Sequence, residues 1–319
     1  MSAPSEGPGA LPRVGYLGPA GTFSEQALLA SAREGAVEPV AQAGIYEAVM
    51  ALVHGEVEYA IVPIENSLEG SIDVTLDLLA DASSPEGEAA AVQIVGETLL
   101  RVRHSLICAG NTALEEIRSV LTHPQVPGQC TRFLRGELAG AQVLAASSTA
   151  EAVRAVVAAG ERDRAAIGTE LAAEIYGGVV VRAGVQDRDD NETRFVWLAP
   201  ASGATADAAA AKAPPLRCGG AGEGAAAGDA EWKTSLVFWG AGAERAGWLV
   251  RCLDQFARRE INLLKIESRP RRGRMGSYRF FADAAARAGE PPLSDALAGL
   301  ARICEEVRVL GSYPAAAAP

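Results

Sequence analysis

Asn191, Glu192, Thr193, Arg194 and Phe195 follow one another at the head of the apolar run Phe195-Val196-Trp197-Leu198. A hydroxyl, a guanidinium that can fork two hydrogen bonds to a carboxylate and an aromatic face together suit a small polyanionic ring. Alone, the run also reads as a polar turn entering a buried strand, so its meaning depends on its company. Three further segments carry capping-box spacing: Thr22 with Glu25, Thr112 with Glu115, and Ser148 with Glu151. Each cap satisfies backbone N–H groups, and each helix start also presents free donors and partial positive charge. Two or three such starts converging would hold carboxylates.

The elements that must position these residues alternate in kind. Strand-like Val14–Leu17 precedes a helix starting near Phe23, and Tyr59–Val62 leads through Glu65-Asn66-Ser67 to the periodic Ile72–Leu79. Val143–Ala145 precedes a helix over Ala150–Ala159, and Ala165–Gly168 precedes one over Glu170–Tyr176. This alternation predicts a parallel or mixed α/β sheet with ligands at strand-to-helix turns.

Residues 200–231 are dominated by Ala and Gly without apolar periodicity, and read as a flexible linker. Beyond it, strands over Thr234–Trp239, Asn262–Ser268, Tyr278–Ala282 and Val307–Leu310 interleave with helices over Glu244–Arg259 and Leu293–Cys304. That is the ferredoxin-like βαββαβ order. The unit holds 14 basic and 9 acidic residues between 232 and 314, against −11 for the whole chain. Its cluster Arg269, Arg271, Arg272 and Arg274 sits at a strand-to-strand turn without interleaved aromatics. It reads as a solvated loop or a contact with the acidic part of the chain, not as a nucleic-acid site.

With 319 residues, 49% of them hydrophobic, the chain can build two domains. Its net charge argues against nucleic acid or an anionic membrane as the main partner. No secretory signal and no span-length apolar run appear, so the expected location is the cytoplasm. Five widely spaced cysteines read as reduced structural thiols. His54, His104 and His123 form no ligand cluster, and no metal is expected. Gly15, Gly18 and Gly21 have the wrong spacing for a dinucleotide loop. Asn191-Glu192-Thr193 is formally a glycosylation sequon, Glu65 and Glu69 form a carboxylate pair adequately explained by a polar turn, and His123 reads as a structural hydrogen-bonder.

The residues at these turns resemble the prephenate dehydratase family. Gly18-Pro19-Ala20-Gly21-Thr22-Phe23-Ser24-Glu25 is similar to its first glycine-rich turn, and Pro63-Ile64-Glu65-Asn66-Ser67-Leu68-Glu69-Gly70-Ser71 to its second. His123-Pro124-Gln125 with Gln129-Cys130, Ser148-Thr149-Ala150-Glu151-Ala152, and Asp187 with Asn191 to Phe195 follow in the family's order. Ile261-Asn262-Leu263 and Lys265-Ile266-Glu267-Ser268-Arg269-Pro270 resemble a phenylalanine-binding ACT domain.

The resemblance implies a two-lobed, periplasmic-binding-protein-like α/β catalytic domain over 13–199, followed by a ferredoxin-like ACT domain over 232–314. Lobe one would comprise about 13–85 with 180–199, and lobe two about 86–179, with tails at 1–12 and 315–319. It implies decarboxylative dehydration of prephenate to phenylpyruvate, without cofactor or metal, in a homodimer or homotetramer regulated by L-phenylalanine. Thr193 would hydrogen-bond the departing hydroxyl; Arg194 would clamp a carboxylate or support Thr193 from behind; Phe195 would pack the ring or the core. Thr22, Ser24, Asn66, Ser67, Gly70, Ser148 and Thr149 would bind substrate. Gly247, Leu249, Val250, Asn262, Leu263, Glu267, Ser268, Arg269 and Pro270 would bind phenylalanine between subunits. Where the family has Gly-Ala-Leu-Val, this chain has Gly247-Trp248-Leu249-Val250. An outward Trp248 would fill the effector pocket, whereas helical spacing turns it to the core. Arogenate dehydration and noncatalytic amino-acid sensing are the competing functions, and Ser148-Thr149 favours prephenate.

Overall fold

The computed structural model describes residues 11–81, 92–201, 216, 231–240, 242–243, 245–271 and 276–316. Most of the expected N-terminal tail and linker, with Arg272 and Arg274, lie outside them.

The first part of the chain forms β1 (Arg13–Leu17), α1 (Phe23–Ser31), β2 (Glu38–Gln42), α2 (Ile45–Val53), β3 (Tyr59–Asn66), the two-residue β4 (Gly70–Ser71) and α3 (Asp73–Asp81). Then follow β5 (Val92–Arg101), β6 (Ser105–Cys108), β7 (Ser119–Thr122), α4 (Val126–Gln129), α5 (Thr131–Gly136), β8 (Gln142–Ala145), α6 (Thr149–Ala159), β9 (Arg164–Gly168), α7 (Glu170–Tyr176) and β10 (Val179–Arg182). The chain ends with β11 (Glu192–Pro200), β12 (Trp232–Trp239), α8 (Trp248–Ala257), β13 (Leu263–Pro270), β14 (Tyr278–Ala284), α9 (Leu293–Leu300) and β15 (Glu306–Pro314).

Two sheets define two lobes. The second is the five-stranded sheet β10-β6-β9-β7-β8, with β7 parallel to β8 and β9. The first runs β5-β11-β3-β1-β2, parallel among β1, β2 and β3 and antiparallel at β11. The expected lobe boundaries need correction here. β5 belongs to the first sheet because its backbone pairs with β11 from Arg101↔Glu192 to Val92↔Pro200, and β10 belongs to the second because it pairs with β6. The chain therefore crosses between lobes twice, after Arg101 and before Glu192. The crossings are stitched by the Val102 N–H donating to the Asn191 carbonyl at 2.8 Å.

β12 to β15 adopt the order β13-β14-β12-β15 with two helices, the ferredoxin-like arrangement. Trp248 is 2% exposed and meets Phe238 and Phe280 beneath α8, so helical spacing placed it correctly in the core. The other face of this sheet joins the first lobe: Val237, Phe281, Leu310 and Tyr313 share one core with Val62, Leu76 and Ile94. β15 meets β5 at Gly311↔Ile94, where a Cβ on Gly311 would lie 2.1 Å from the Ile94 carbonyl oxygen. Only glycine permits that approach. Charge closes the same interface, since Arg269 pairs with Asp73 and Asp77, and Arg279 with Asp81. The basic cluster thus contributes at least Arg269 to the acidic lobe, one of its two expected uses. No helix among the described residues is long and apolar enough to cross a membrane.

Candidate functional site

A cleft of about 410 Å³ lies between the lobes. β11 supplies its central residue. Thr193 pairs with Asn66 of β3 and Leu100 of β5, and strand alternation sends Thr193 and Phe195 toward the cleft and Arg194 to the opposite face. Phe195 lines the cleft while packing the core beside Tyr16 and Leu28.

Arg194 therefore does not clamp a carboxylate in the cleft. Its Nε donates to Glu97 at 2.6 Å, its Nη1 to Asp283 at 2.6 Å and its Nη2 to the Tyr313 hydroxyl at 2.8 Å. These carboxylates, with burial opposing them, hold the guanidinium charge firmly in place, and the arginine ties β11 to the C-terminal unit. Ser67 and Gly70 are also displaced from their expected role. The Ser67 hydroxyl donates to the Asp190 carbonyl and accepts from the Glu192 N–H at 3.0 Å, and Gly70 pairs with Asn66 at the exposed edge of β3. Both shape the turn that presents Asn66.

Asn66 has a fixed amide orientation. Its Oδ1 accepts from the N–H groups of Leu68 and Glu69 at 2.9 and 3.0 Å, so Nδ2 points to the cleft side and donates to Thr193 Oγ1 at 2.9 Å. A threonine hydroxyl that already accepts keeps its own proton free to donate.

Two helix starts face this hydroxyl from the lobes. Thr22 caps α1 by accepting from Glu25 N–H, while the Glu25 carboxylate accepts from Gly21 N–H at 2.5 Å. Ser148 caps α6 by accepting from Glu151 N–H at 3.0 Å. Thr22, Ser24, Ser148 and Thr149 all line the cleft. The third expected cap fails: Thr112 bonds the Gly110 carbonyl, and only a short 3₁₀ turn, Leu114–Glu116, follows without a side-chain cap. Its sequence spacing was right, but no long helix follows to need it. Thr169 caps α7 instead, accepting from Ala172 N–H, and donates to the Gly21 carbonyl at 2.5 Å across the lobes.

Several polar cleft residues were not singled out as a site from the sequence. Asn191, His104, Gln129 and Glu69 line it, with His123. Asn191 was in view as the first residue of its motif; His104 carried no spacing signal. Burial lowers the His104 imidazole below its usual range, against the pull of its hydrogen bond to Gln129. Burial also pushes the Cys130 thiol up to about 12, as befits a packed side chain. No lysine or arginine is among the described residues that line the cleft. Negative charge there would be met by helix starts, amides and hydroxyls.

In the C-terminal unit, Val250, Asn262, Ser268 and Pro270 are exposed and Leu249 and Leu263 half-buried. Gly247 caps α8 in the left-handed region. Glu267 accepts from Ser71, and Arg269 pairs with Asp73 and Asp77, so both charged ends turn to the first lobe.

The prephenate dehydratase family model matches residues 14–202. A prephenate dehydratase of Mycolicibacterium vanbaalenii is 36% identical over 317 residues, spanning 95% of this chain and 91% of its own. Among solved structures, prephenate dehydratase from Arthrobacter aurescens in complex with L-Phe superposes with a TM-score of 0.77 at 31% identity, covering 96% of this chain and 93% of that one. A quorum quenching acylase, GqqA, superposes with a TM-score of 0.76 at 27% identity, covering 95% and 98%.

Proposed function

We infer, from the premise that this chain belongs to the prephenate dehydratase family, that its cleft removes carbon dioxide and hydroxide together from prephenate and releases phenylpyruvate. Fold alone would not separate this lyase activity from that of the acylase with similar architecture; the family match and the site's chemistry do. The carboxylate carbon leaves as carbon dioxide, the electron pair of its bond enters the ring, and the carbon–oxygen bond opposite breaks. The departing hydroxide takes up one proton and leaves as water. Aromatisation drives the step, so the protein's task is to hold a dianion and stabilise the charge developing on one oxygen.

The observation that carries the assignment is the 2.9 Å hydrogen bond from Asn66 Nδ2 to Thr193 Oγ1. It leaves the Thr193 proton for the departing hydroxyl, a preorganised donor that strengthens as charge develops. The starts of α1 and α6, with Ser24 and Thr149, bind the two carboxylates. Phe195 forms the apolar wall for the ring. Arg194 supports Thr193 from the far side of the strand.

The C-terminal unit is assigned as an ACT domain that binds L-phenylalanine between subunits of a homodimer or homotetramer. Its ferredoxin-like order, the exposed residues Val250, Asn262 and Ser268, and the core position of Trp248, which leaves that surface unobstructed, support the reading. The likeness to a structure solved with L-Phe supports it as well. Feedback inhibition is the expected sign, and the cytoplasm the expected location.

Purified protein given prephenate, with arogenate in parallel, tests the activity. Phenylpyruvate from prephenate is expected; preference for arogenate would move the substrate, and turnover of neither by folded protein would favour an amino-acid sensor.

A further inference from the structure

His104 starts the chain of contacts that ends at Thr193, and the direction of every link can be assigned. Asn66 Oδ1 is held by two backbone N–H groups, so Asn66 Nδ2 donates to both Thr193 Oγ1 and Asn191 Oδ1, each at 2.9 Å. With its oxygen accepting, Asn191 must donate from Nδ2, and it does so to Gln129 Oε1 at 3.0 Å. Gln129 Nε2 in turn points to Glu69 Oε1 at 3.4 Å. His104 Nε2 lies 3.1 Å from that same Gln129 Oε1, which offers only lone pairs. The imidazole can meet it favourably only as a donor.

The other ring nitrogen completes the assignment. His104 is 2% exposed, and its buried Nδ1 has no hydrogen-bond partner among the described residues. A proton there would be desolvated and unpaired, which disfavours it. The ring itself is fixed, with Phe23 meeting it edge-on at 5.4 Å between centroids and the backbone N–H of His104 donating to Gln186 Oε1 at 2.9 Å.

The chain of contacts also crosses the cleft. His104 and Gln129 belong to the second lobe, whereas Asn66, Glu69 and Thr193 belong to the first. We propose that His104, held as the neutral Nε2–H tautomer, is a positioning residue for the dehydration: it orients Gln129 and, through Asn191 and Asn66, keeps the Thr193 proton directed at the leaving hydroxyl. The role rests on the assignment of Thr193 as the donor; the tautomer does not. Burial, which lowers the imidazole below its usual range, agrees with a neutral ring at pH 7.

Nitrogen NMR of protein labelled at histidine tests the tautomer without reference to activity, and His104→Gln identifies the resonances. A pyrrole-type Nε2 and a pyridine-type Nδ1 at pH 7 are expected. An Nδ1–H tautomer or an imidazolium would overturn the proposal. Kinetics test the role. His104→Leu removes the donor and should lower kcat about 10- to 100-fold with KM changed by less than about threefold, as expected for a small misplacement of a reacting group. His104→Gln retains a donor near the Nε2 position and should restore most of kcat. A folded His104→Leu protein with near-native kcat would refute the role, as would a His104→Gln protein no more active than His104→Leu. If Thr193→Val also kept its activity, the assignment of Thr193 would fail first. Inactive Thr193→Val with fully active His104→Leu would sink the positioning role alone.

Discussion

Arg194 Nη1 meets the Asp283 carboxylate at 2.6 Å, joining the strand of Thr193 to the C-terminal unit. Both side chains are at least nine-tenths buried, and Glu97, which takes the Nε hydrogen bond, is 1% exposed. Lys233 and the Ala316 N–H also meet Glu97, and the Ser235 hydroxyl donates to Asp283. Removing one partner would strand charge in the core. Arg194→Met is expected to cost about 3–5 kcal/mol in urea unfolding. Arg194→Lys should recover little, since one ammonium cannot reach three acceptors set in a fork. A loss under about 1 kcal/mol would show that the network is not a structural joint.

Gly21 sets the spacing of the lobes. It has φ of +84°, and a Cβ there would lie 2.7 Å from Ala172 Cα in the other lobe. Thr169 and Tyr176 bond the carbonyls of Gly21 and Ala20 at the same contact. Gly21→Ala should therefore strain the turn by about 1 kcal/mol or more and push the lobes apart. We expect KM for prephenate to rise and kcat to fall together. Native kinetics from this variant would mean that the lobes need not touch here during turnover.

The buried His104 gives stability a defined pH dependence. Its folded pKa is lowered from the ordinary 6.5. Between the lowered value and 6.5, the unfolded chain binds a proton that the native chain does not. Its contribution is present above pH 6.5 and lost as pH falls through the folded pKa. Urea midpoints measured through this range should fall more steeply for the native sequence than for His104→Gln. Parallel curves would contradict a neutral buried imidazole.

Trp248 bears on regulation. Because the indole packs against Phe238 and Phe280, it is not available to fill an effector pocket on the exposed side of the unit. Isothermal titration should then detect L-phenylalanine binding, whereas no heat at millimolar ligand would count against the ACT assignment. Trp248→Ala should destabilise the unit by about 3–5 kcal/mol through the cavity it leaves.

Much of this was legible in the sequence for local reasons. Thr22 and Ser148 were found because a cap bonds within its own turn, and Trp248 because helical periodicity marks a face. Arg194 defeated the reading because its neighbours on either side face the cleft while its own partners, Asp283 and Tyr313, lie 89 and 119 positions away. Sequence order shows which residues adjoin, but the pleat of β11 decides that adjacent residues serve opposite faces. His104 and Gln129 reach the site through pairing across two lobes, and no spacing within the chain encodes that. The lobe boundary missed β5 for a similar reason: its membership is fixed by the ladder with β11, roughly a hundred residues later.

The central claim is that the Thr193 hydroxyl donates to the leaving group, and Thr193→Val tests it with little change of volume. Phenylpyruvate formation under saturating prephenate should fall about 10²- to 10³-fold in kcat, the usual cost of removing one preorganised donor, with the fold and KM largely preserved. A folded Thr193→Val protein with near-native kcat would contradict the account.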